Sequence, residues 1–115
     1  MDPLIRLALS KNVGIHVEAI AALANLAVND YNELEIARKG GLEPIVAALD
    51  IKDYELLCQA ARALRNLSVN KENREIIIKL GAIEPLLVLS QSPYERIKQQ
   101  ANRALCNLGI QASDK

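Results

Sequence analysis

In the last third of the chain, apolar residues recur among polar ones at intervals of 4, 3, 1 and 3 residues. They are Ile97, Ala101, Ala104, Leu105 and Leu108. This spacing places all of these side chains on one face of an α-helix. The pattern therefore predicts a long amphipathic helix from about Tyr94 to Ile110.

Two earlier segments carry the same apolar stripe. One stripe consists of Leu56, Ala60, Ala63, Leu64 and Leu67, and the other of Ile15, Ala19, Ala22, Leu23 and Leu26. Each segment also has a second, mostly polar helical face. Its positions are Gln100, Arg103 and Asn107 in the last segment, Gln59, Arg62 and Asn66 in the middle one, and Glu18, Ala21 and Asn25 in the first. If the three helices pack side by side, these faces form one continuous surface.

The chain repeats itself every 41 residues without gaps. Proline returns at Pro3, Pro44 and Pro85. The segments 22–26, 63–67 and 104–108 share the pattern A-L-x-N-L, which contains the repeated asparagine. A period near 40 residues is typical of stacked helical repeats, in which each unit buries its apolar face only against its neighbours.

One period contains signals for three helices. A short helix is predicted from Asn70 to Leu80, and Gly81 ends it because glycine tolerates the left-handed conformation past a helix end. Pro85 lies in the first turn of the second helix, where a missing N–H costs little. That helix runs to Leu89 and ends in the polar segment 90–93, before the long third helix.

These motifs resemble the armadillo repeat family. The resemblance rests on G-[GA]-[LI]-E-P at residues 40–44 and 81–85, on the three A-L-x-N-L segments, and on the segments 29–32 and 70–73 between repeats. It covers nearly the whole chain and implies an all-α fold, a right-handed α-solenoid of three-helix repeats. We expect one domain, 1–115. It would contain a partial first repeat that runs into the next first helix (1–40), a central repeat (41–81) and a last repeat (82–115).

In this family the third helices line a concave groove, where a ladder of asparagines binds the backbone of an extended peptide. The resemblance maps the ladder onto Asn25, Asn66 and Asn107. An Asn amide offers both a donor and an acceptor, so it can pair with a peptide unit through two bonds. The implied groove consists of Glu18, Ala21, Asn25, Gln59, Arg62, Asn66, Gln100, Arg103 and Asn107. The alternatives are that each asparagine ties neighbouring repeats together or simply faces water.

The sequence departs from the import adaptors of the family, which carry a tryptophan four residues before each ladder asparagine. Here those positions hold Ala21, Arg62 and Arg103, and the chain contains no Trp. The departure disfavours binding of nuclear-localisation signals. The repeats look closer to the scaffold branch of the family.

Charge narrows the classes of partner. The 14 basic and 14 acidic residues give a formal net charge of zero, so nothing indicates a general attraction to nucleic acid or to an anionic membrane. Arg62, Arg65 and Arg103 have two interpretations. They form a mildly basic groove for acidic or phosphorylated segments, or they belong to a solvated surface offset by Glu55 and Glu95.

Other chemistry is not indicated. The sequence has no phosphate-binding glycine loop, no G-x-S-x-G and no H-E-x-x-H, so we expect no enzyme, no metal and no cofactor. His16 is interpreted as a surface residue. Cys58 and Cys106 are typical of reduced, half-buried residues in a cytoplasmic or nuclear protein, and we expect them to pack in the core or at the groove edge. No apolar run approaches the roughly 20 residues that span a bilayer, so no direct membrane insertion is expected.

The ends of the repeat array suggest a second function. The sequence opens at the second helix of a repeat, with Asp2 as its N-cap. Neither end shows a clearly polar capping repeat, which indicates a piece of a longer solenoid or one that buries its ends by self-association. The leading interpretation is therefore a module that binds a protein or an extended peptide. The alternative is a homo-oligomeric scaffold that stacks or dimerises through its ends. Single-stranded RNA is disfavoured because the groove lacks stacking aromatics.

Overall fold

The computed structural model describes residues 13–110, with side chains from His16 onward except that of Asp30. The described part consists of seven α-helices and contains no strand. The helices are α1 (Val13–Leu26), α2 (Asp30–Arg38), α3 (Leu42–Ala48), α4 (Tyr54–Leu67), α5 (Lys71–Lys79), α6 (Ile83–Leu89) and α7 (Glu95–Asn107). The expected N-cap at Asp2 lies outside the described residues.

The helices form an all-α solenoid with three helices in each repeat. One repeat contains α2, α3 and α4, and the next contains α5, α6 and α7, while α1 is the third helix of the repeat before them. Helix α1 packs against α4, and α4 packs against α7. The third helices therefore lie side by side, which confirms the expectation drawn from the three equivalent stripes.

Asparagine side chains set the starts of the first helices. Asn29 Oδ1 accepts hydrogen bonds from the N–H groups of Tyr31 at 2.9 Å and Asn32 at 3.2 Å. Asn70 Oδ1 accepts from the N–H of Glu72 at 2.9 Å. Such caps satisfy amide groups of the first turn that have no partner within the helix. The asparagine-rich segment between repeats thus has a local structural function.

Glycines end the same helices, as predicted. Gly81 has a φ of 85°, and its N–H donates to the carbonyl of Ile78 at 3.0 Å while that of Ala82 donates to Ile77 at 3.4 Å. This turn requires the left-handed conformation that only glycine adopts without strain. Gly40, with a φ of 80°, ends α2 in the same way.

Helix α7 is shorter than the sequence predicts. It begins at Glu95, because the backbone of Tyr94 is extended and its N–H bonds to Ser92 Oγ at 3.1 Å. It ends at Asn107, shortly before Gly109, whose φ is 88°. The positive φ takes the chain out of the helix, although the apolar pattern itself continues to Ile110.

The apolar stripes form the core of the solenoid. Every stripe residue of α4 is fully buried, and the equivalent residues of α7 and its C-cap Leu108 are at most 8% exposed. In α1, Ala19 and Leu23 are buried whereas Ala22 and Leu26 are half-buried. Alanines at these positions let neighbouring third helices approach closely. The core therefore fits the predicted pattern in all three helices, apart from Ile15, whose side chain is not described.

The surface position predicted for His16 and the half-buried state predicted for the two cysteines are wrong, whereas Cys58 does pack in the core. His16 is buried rather than on the surface, because it lies on the side of α1 that packs within the solenoid. Cys58 is buried and Cys106 is exposed, so neither is half-buried. Their difference arises because they occupy different positions of the repeat, and Cys106 is equivalent to Arg65.

Candidate functional site

The residues predicted for the groove all lie along the row of third helices. Their placement is Glu18, Ala21 and Asn25 on α1, Gln59, Arg62 and Asn66 on α4, and Gln100, Arg103 and Asn107 on α7. Three of them, Glu18, Asn25 and Arg103, are exposed, and the others are half-buried. Side-chain hydrogen bonds cross from each third helix to the next, so the row is one connected polar surface.

Two of the ladder asparagines donate hydrogen bonds to the preceding repeat. Asn66 Nδ2 donates to the backbone carbonyl of Ala24 at 3.0 Å. Asn107 Nδ2 donates to the carbonyl of Arg65 at 2.9 Å and to Ser68 Oγ at 3.1 Å. These carbonyls lie in the last turn of a third helix, where no partner exists within the helix. The asparagines therefore do tie neighbouring repeats together.

The same bonds fix the orientation of the amides. Because Nδ2 must face the carbonyl of the preceding repeat, Oδ1 of Asn66 and Asn107 is left without a protein partner in the described residues. Asn107 has both N–H groups engaged, so it can only accept a further bond. Asn25 makes no side-chain hydrogen bond to the described residues and is exposed. Two-bond pairing to a peptide is thus available at Asn25 and Asn66 but not at Asn107.

The arginines of this face have different partners. Arg62 donates to Gln59 Oε1 through Nε at 3.2 Å and Nη2 at 2.9 Å, and to the carbonyl of Ala21 at 3.4 Å. Arg65 donates to Gln100 Oε1 at 3.3 Å, from α4 to α7. Arg103 has no hydrogen bond or ion pair among residues 13–110.

The acidic residues expected to offset these arginines bind glutamines instead. Glu55 Oε2 accepts from Gln59 Nε2 at 3.1 Å, and Glu95 Oε2 accepts from Gln99 Nε2 at 3.4 Å. Within the described chain, the ion pair found is Arg38 with Glu35, on α2. In the part of the chain that the structure describes, no carboxylate therefore lies at ion-pair distance from the guanidinium groups of Arg62, Arg65 and Arg103.

A pocket of about 490 Å³ opens between α4 and α7 on this face. It is lined by Arg65, Gln99, Gln100, Asn102 and Arg103. The predicted groove did not include Arg65, Gln99 or Asn102, and it did not include Ser68. For two of these, the sequence carried a signal: a polar residue where the earlier repeats have apolar ones. Gln99 is equivalent to Val17 and Cys58, and Asn102 is equivalent to Ile20 and Ala61.

The groups with shifted pKa values lie outside this face. Burial lowers the pKa of His16, and it raises the pKa of the Cys58 thiol. A hydrogen bond with Cys58 is the main cause that raises the pKa of Tyr54. Tyr54 also contacts Tyr94 edge to face, with ring centroids 5.1 Å apart. Tyr54 and Tyr94 connect the start of α4 with the residue before α7, which indicates a structural role.

Two further observations concern only the residues that the structure describes. They contain no group of three or more His, Cys, Asp or Glu side chains arranged to hold a metal ion. None of their helices combines the length and the apolar character needed to cross a bilayer.

The sequence matches the family model for the Armadillo/beta-catenin-like repeat at residues 29–69 and 70–109. The chain belongs to this family. Both matches begin at an asparagine that caps a first helix, Asn29 or Asn70. The armadillo unit of this protein thus starts at the local signal that also starts α2 and α5.

Similar solved structures include engineered armadillo proteins. An engineered protein has 33% identity and a TM-score of 0.88. The match covers 93% of the present chain and 26% of the engineered protein. A designed armadillo repeat protein in complex with the peptide (KR)4 has 30% identity and a TM-score of 0.87. The match covers 92% of the present chain and 45% of the designed protein. A third structure is of computationally designed armadillo repeat proteins for modular peptide recognition. Its identity, TM-score and both coverages are the same as those of the (KR)4 complex.

The present armadillo chain spans less than half the length of each of these structures. No curated protein sequence matches it.

Proposed function

We propose that this armadillo protein is a non-enzymatic interaction module whose groove binds an extended segment of a partner protein. One observation carries the proposal: Asn66 and Asn107 hold their amide nitrogens on the preceding repeat and leave Oδ1 without a partner among residues 13–110. The arrangement offers a row of oriented acceptors along the third helices. An extended segment offers backbone N–H groups, which no internal secondary structure satisfies.

Orientation of the acceptors supports this function energetically. An amide that is already fixed loses little side-chain entropy when it accepts a bond, and prior ordering of this kind strengthens binding. Each neutral hydrogen bond contributes about 1 kcal/mol net. Because the described repeats supply few such bonds, we expect weak binding by this chain.

The designed neighbours support a peptide as the kind of ligand. One of them is in complex with (KR)4, a basic peptide. In the present groove, arginines without ion-paired carboxylates favour the opposite charge. We therefore propose that the preferred segment is acidic or phosphorylated.

The sharpest test of the ladder uses Asn25→Ala. Asn25 is exposed and makes no side-chain bond to the described residues, so its removal should leave the stability of the fold unchanged. Peptides selected from a random display library on the wild-type protein should bind this variant about fivefold more weakly. Fluorescence anisotropy with each selected peptide would measure the change.

Gln91→Ala provides the matched control, because Gln91 is an exposed amide that follows α6 rather than a third helix. It should bind the selected peptides like wild type. Equal binding by wild type, Asn25→Ala and a folded Asn25, Asn66, Asn107 triple alanine variant would contradict the ladder proposal.

Self-assembly is the second candidate function. It is supported by apolar side chains exposed on the last repeat, namely Ile78 at 41%, Leu87 at 36% and Val88 at 71%. Contact between copies would remove this apolar area from water. Light scattering over a wide concentration range tests the idea, and a strictly monomeric mass throughout would exclude it.

We further propose a cytoplasmic or nuclear location. Cys58 and Cys106 are both free thiols, a state typical of reducing compartments. Imaging of a tagged full-length protein would test this, and secretion into the medium would contradict it.

A further inference from the structure

Arg62 and Arg103 occupy equivalent positions in the repeat, but their side chains differ in their freedom to bind a ligand. The Arg62 guanidinium is held by three hydrogen bonds that it donates, two to Gln59 Oε1 and one to the carbonyl of Ala21. Arg103 stands at the equivalent position of the next repeat, is exposed, and has no such bonds within the described residues. Arg103 is therefore the guanidinium of this pair that can rearrange around a ligand.

Arg65 is specific to one repeat. The equivalent residues are Ala24 and Cys106, so α4 alone carries a long cation at this position. Its side chain reaches α7 and donates to Gln100 Oε1 at 3.3 Å, while its backbone carbonyl accepts the bond from Asn107. This places Arg65 directly beside the last asparagine of the ladder.

The pocket between α4 and α7 brings Arg65 and Arg103 together. Its remaining described lining side chains, Gln99, Gln100 and Asn102, are amides, and no carboxylate of residues 13–110 lines it. Outside the pocket, Glu95 Oε2 accepts a hydrogen bond from Gln99 Nε2 at 3.4 Å. Among the described residues, the pocket thus offers two guanidinium groups and three amide groups as donors, with two formal positive charges and no negative one.

We propose that this pocket is a specificity site for one anionic side chain, a carboxylate or a phosphate, of the segment bound on the ladder. The inference rests on the proposed peptide-binding function. Guanidinium groups donate paired hydrogen bonds that match both oxyanions. The donors are partly screened from water because Arg65 and Gln100 are half-buried.

The pocket also gives the groove a direction. At the α1 end the corresponding positions hold Glu18, which is exposed, and Ala21. An anionic side chain is repelled there and attracted at α7. A segment with a single acidic residue therefore binds in one register, with that residue beside Asn107.

The test uses peptides selected on the wild-type protein and synthesised in four versions. One acidic position is Glu, phosphoserine, Gln or Lys in each set. We expect the Glu or the phosphoserine version to bind about tenfold or more tightly than the Gln version, because a charge-assisted bond is lost with the charge. Whichever of the two binds more tightly identifies the source of the anion.

Arg103→Gln is the decisive variant, since its side chain has no partner in the described fold. It should remove most of the discrimination between the acidic and Gln versions while leaving binding of the Gln version unchanged. Arg103→Glu should reverse the preference toward the Lys version. Arg96→Gln removes the same charge from an exposed residue of α7 that does not line the pocket, and it should keep wild-type discrimination.

The outcomes separate the two proposals. If no library peptide binds the wild type, the proposed function fails and the pocket proposal fails with it. If peptides bind but prefer no acidic version, or if Arg103→Gln discriminates like wild type, the pocket proposal is overturned while peptide binding stands.

Discussion

Asn66 Nδ2 lies 3.0 Å from the backbone carbonyl oxygen of Ala24, one repeat earlier in the chain. The bond joins α4 to the last turn of α1, so this asparagine contributes to stacking of the repeats as well as to the groove face. The substitution Asn66→Ala consequently affects both the stability of the fold and the binding of any ligand. The expectation that the asparagines either bind peptide or tie repeats together is thus too narrow, because one amide has groups for both.

This relationship predicts a difference in stability between two ladder positions. Asn66→Ala should lower the free energy of unfolding by about 1 kcal/mol, since it leaves the Ala24 carbonyl without its partner. Asn25→Ala should change it by less than about 0.5 kcal/mol, as exposed substitutions without partners do. Urea titrations followed by circular dichroism would compare them. Equal midpoints and slopes would contradict the inter-repeat bond.

A second inter-repeat tie predicts a larger effect. Asn73 is fully buried, and its Nδ2 donates to the carbonyls of Glu33 at 3.1 Å and Leu67 at 3.2 Å. Asn73→Ala should therefore cost about 2 kcal/mol of unfolding free energy. Asn32→Ala changes the equivalent, half-buried residue of the preceding repeat. If the Asn32 variant proved as unstable as the Asn73 variant, burial of Asn73 would not be the cause.

The two thiols should react at different rates. Cys106 is exposed, whereas Cys58 is buried and has a pKa raised chiefly by that burial. Thiolate is the reactive form, so a maleimide should label Cys106 quickly and Cys58 only when the structure opens. Mass spectrometry of wild type and Cys106→Ser would follow the labelling. Rapid labelling of folded Cys106→Ser would contradict the buried position of Cys58.

His16 should make stability depend on pH. Burial lowers its pKa in the folded chain below the ordinary value of 6.5. The unfolded chain therefore takes up a proton first as the pH falls. The contribution to stability is fully present above about pH 6.5 and declines below it.

The substitution His16→Leu introduces the residue type of Leu57, the equivalent position of the next repeat. It should remove the pH dependence of stability that comes from His16. Unfolding free energies measured at several pH values between about 5.5 and 8 would show it, because histidines titrate there. Parallel profiles for wild type and variant would contradict the assignment.

The polar side of α7 should oppose stacking. Leu57, Cys58 and Ala61 of α4 are buried or half-buried, but the equivalent residues Lys98, Gln99 and Asn102 of α7 are polar. A helix packed there would leave a charge and two amides without water.

Combined Lys98→Leu, Gln99→Val and Asn102→Ala should therefore promote self-association through α7. Sedimentation velocity should show a larger, concentration-dependent dimer fraction for the triple variant than for wild type at the same concentration. A monomeric triple variant at high concentration would show that this face does not control assembly.

Much of the architecture was predictable because its causes are local or periodic. The 41-residue register placed Asn66 and Asn107 at equivalent positions, and the apolar stripes identified the core residues of α4 and α7. The start of α5 at Asn70 and its end before Gly81 follow from capping and from a positive φ, which depend on neighbouring residues alone.

The side-chain partners could not be predicted in the same way. The A-L-x-N-L pattern places an asparagine in each third helix, but the distance between helices decides whether its Nδ2 reaches a carbonyl of the preceding repeat. Arg62 and Arg103 likewise occupy one repeat position in the sequence. Only Arg62 finds a glutamine and a carbonyl placed to hold it.

The sequence by itself determined the family, the three-helix repeat and the core, because local backbone preferences and apolar periodicity act along the chain. The tertiary structure alone decided that His16 is buried, that the asparagine donors are engaged, and that Arg65 and Arg103 line one pocket. Each of these depends on how two residues some 40 positions apart, or two neighbouring helices, meet in space. Hydrogen bonds are directional and short-ranged, so their allocation follows from packing rather than from residue type.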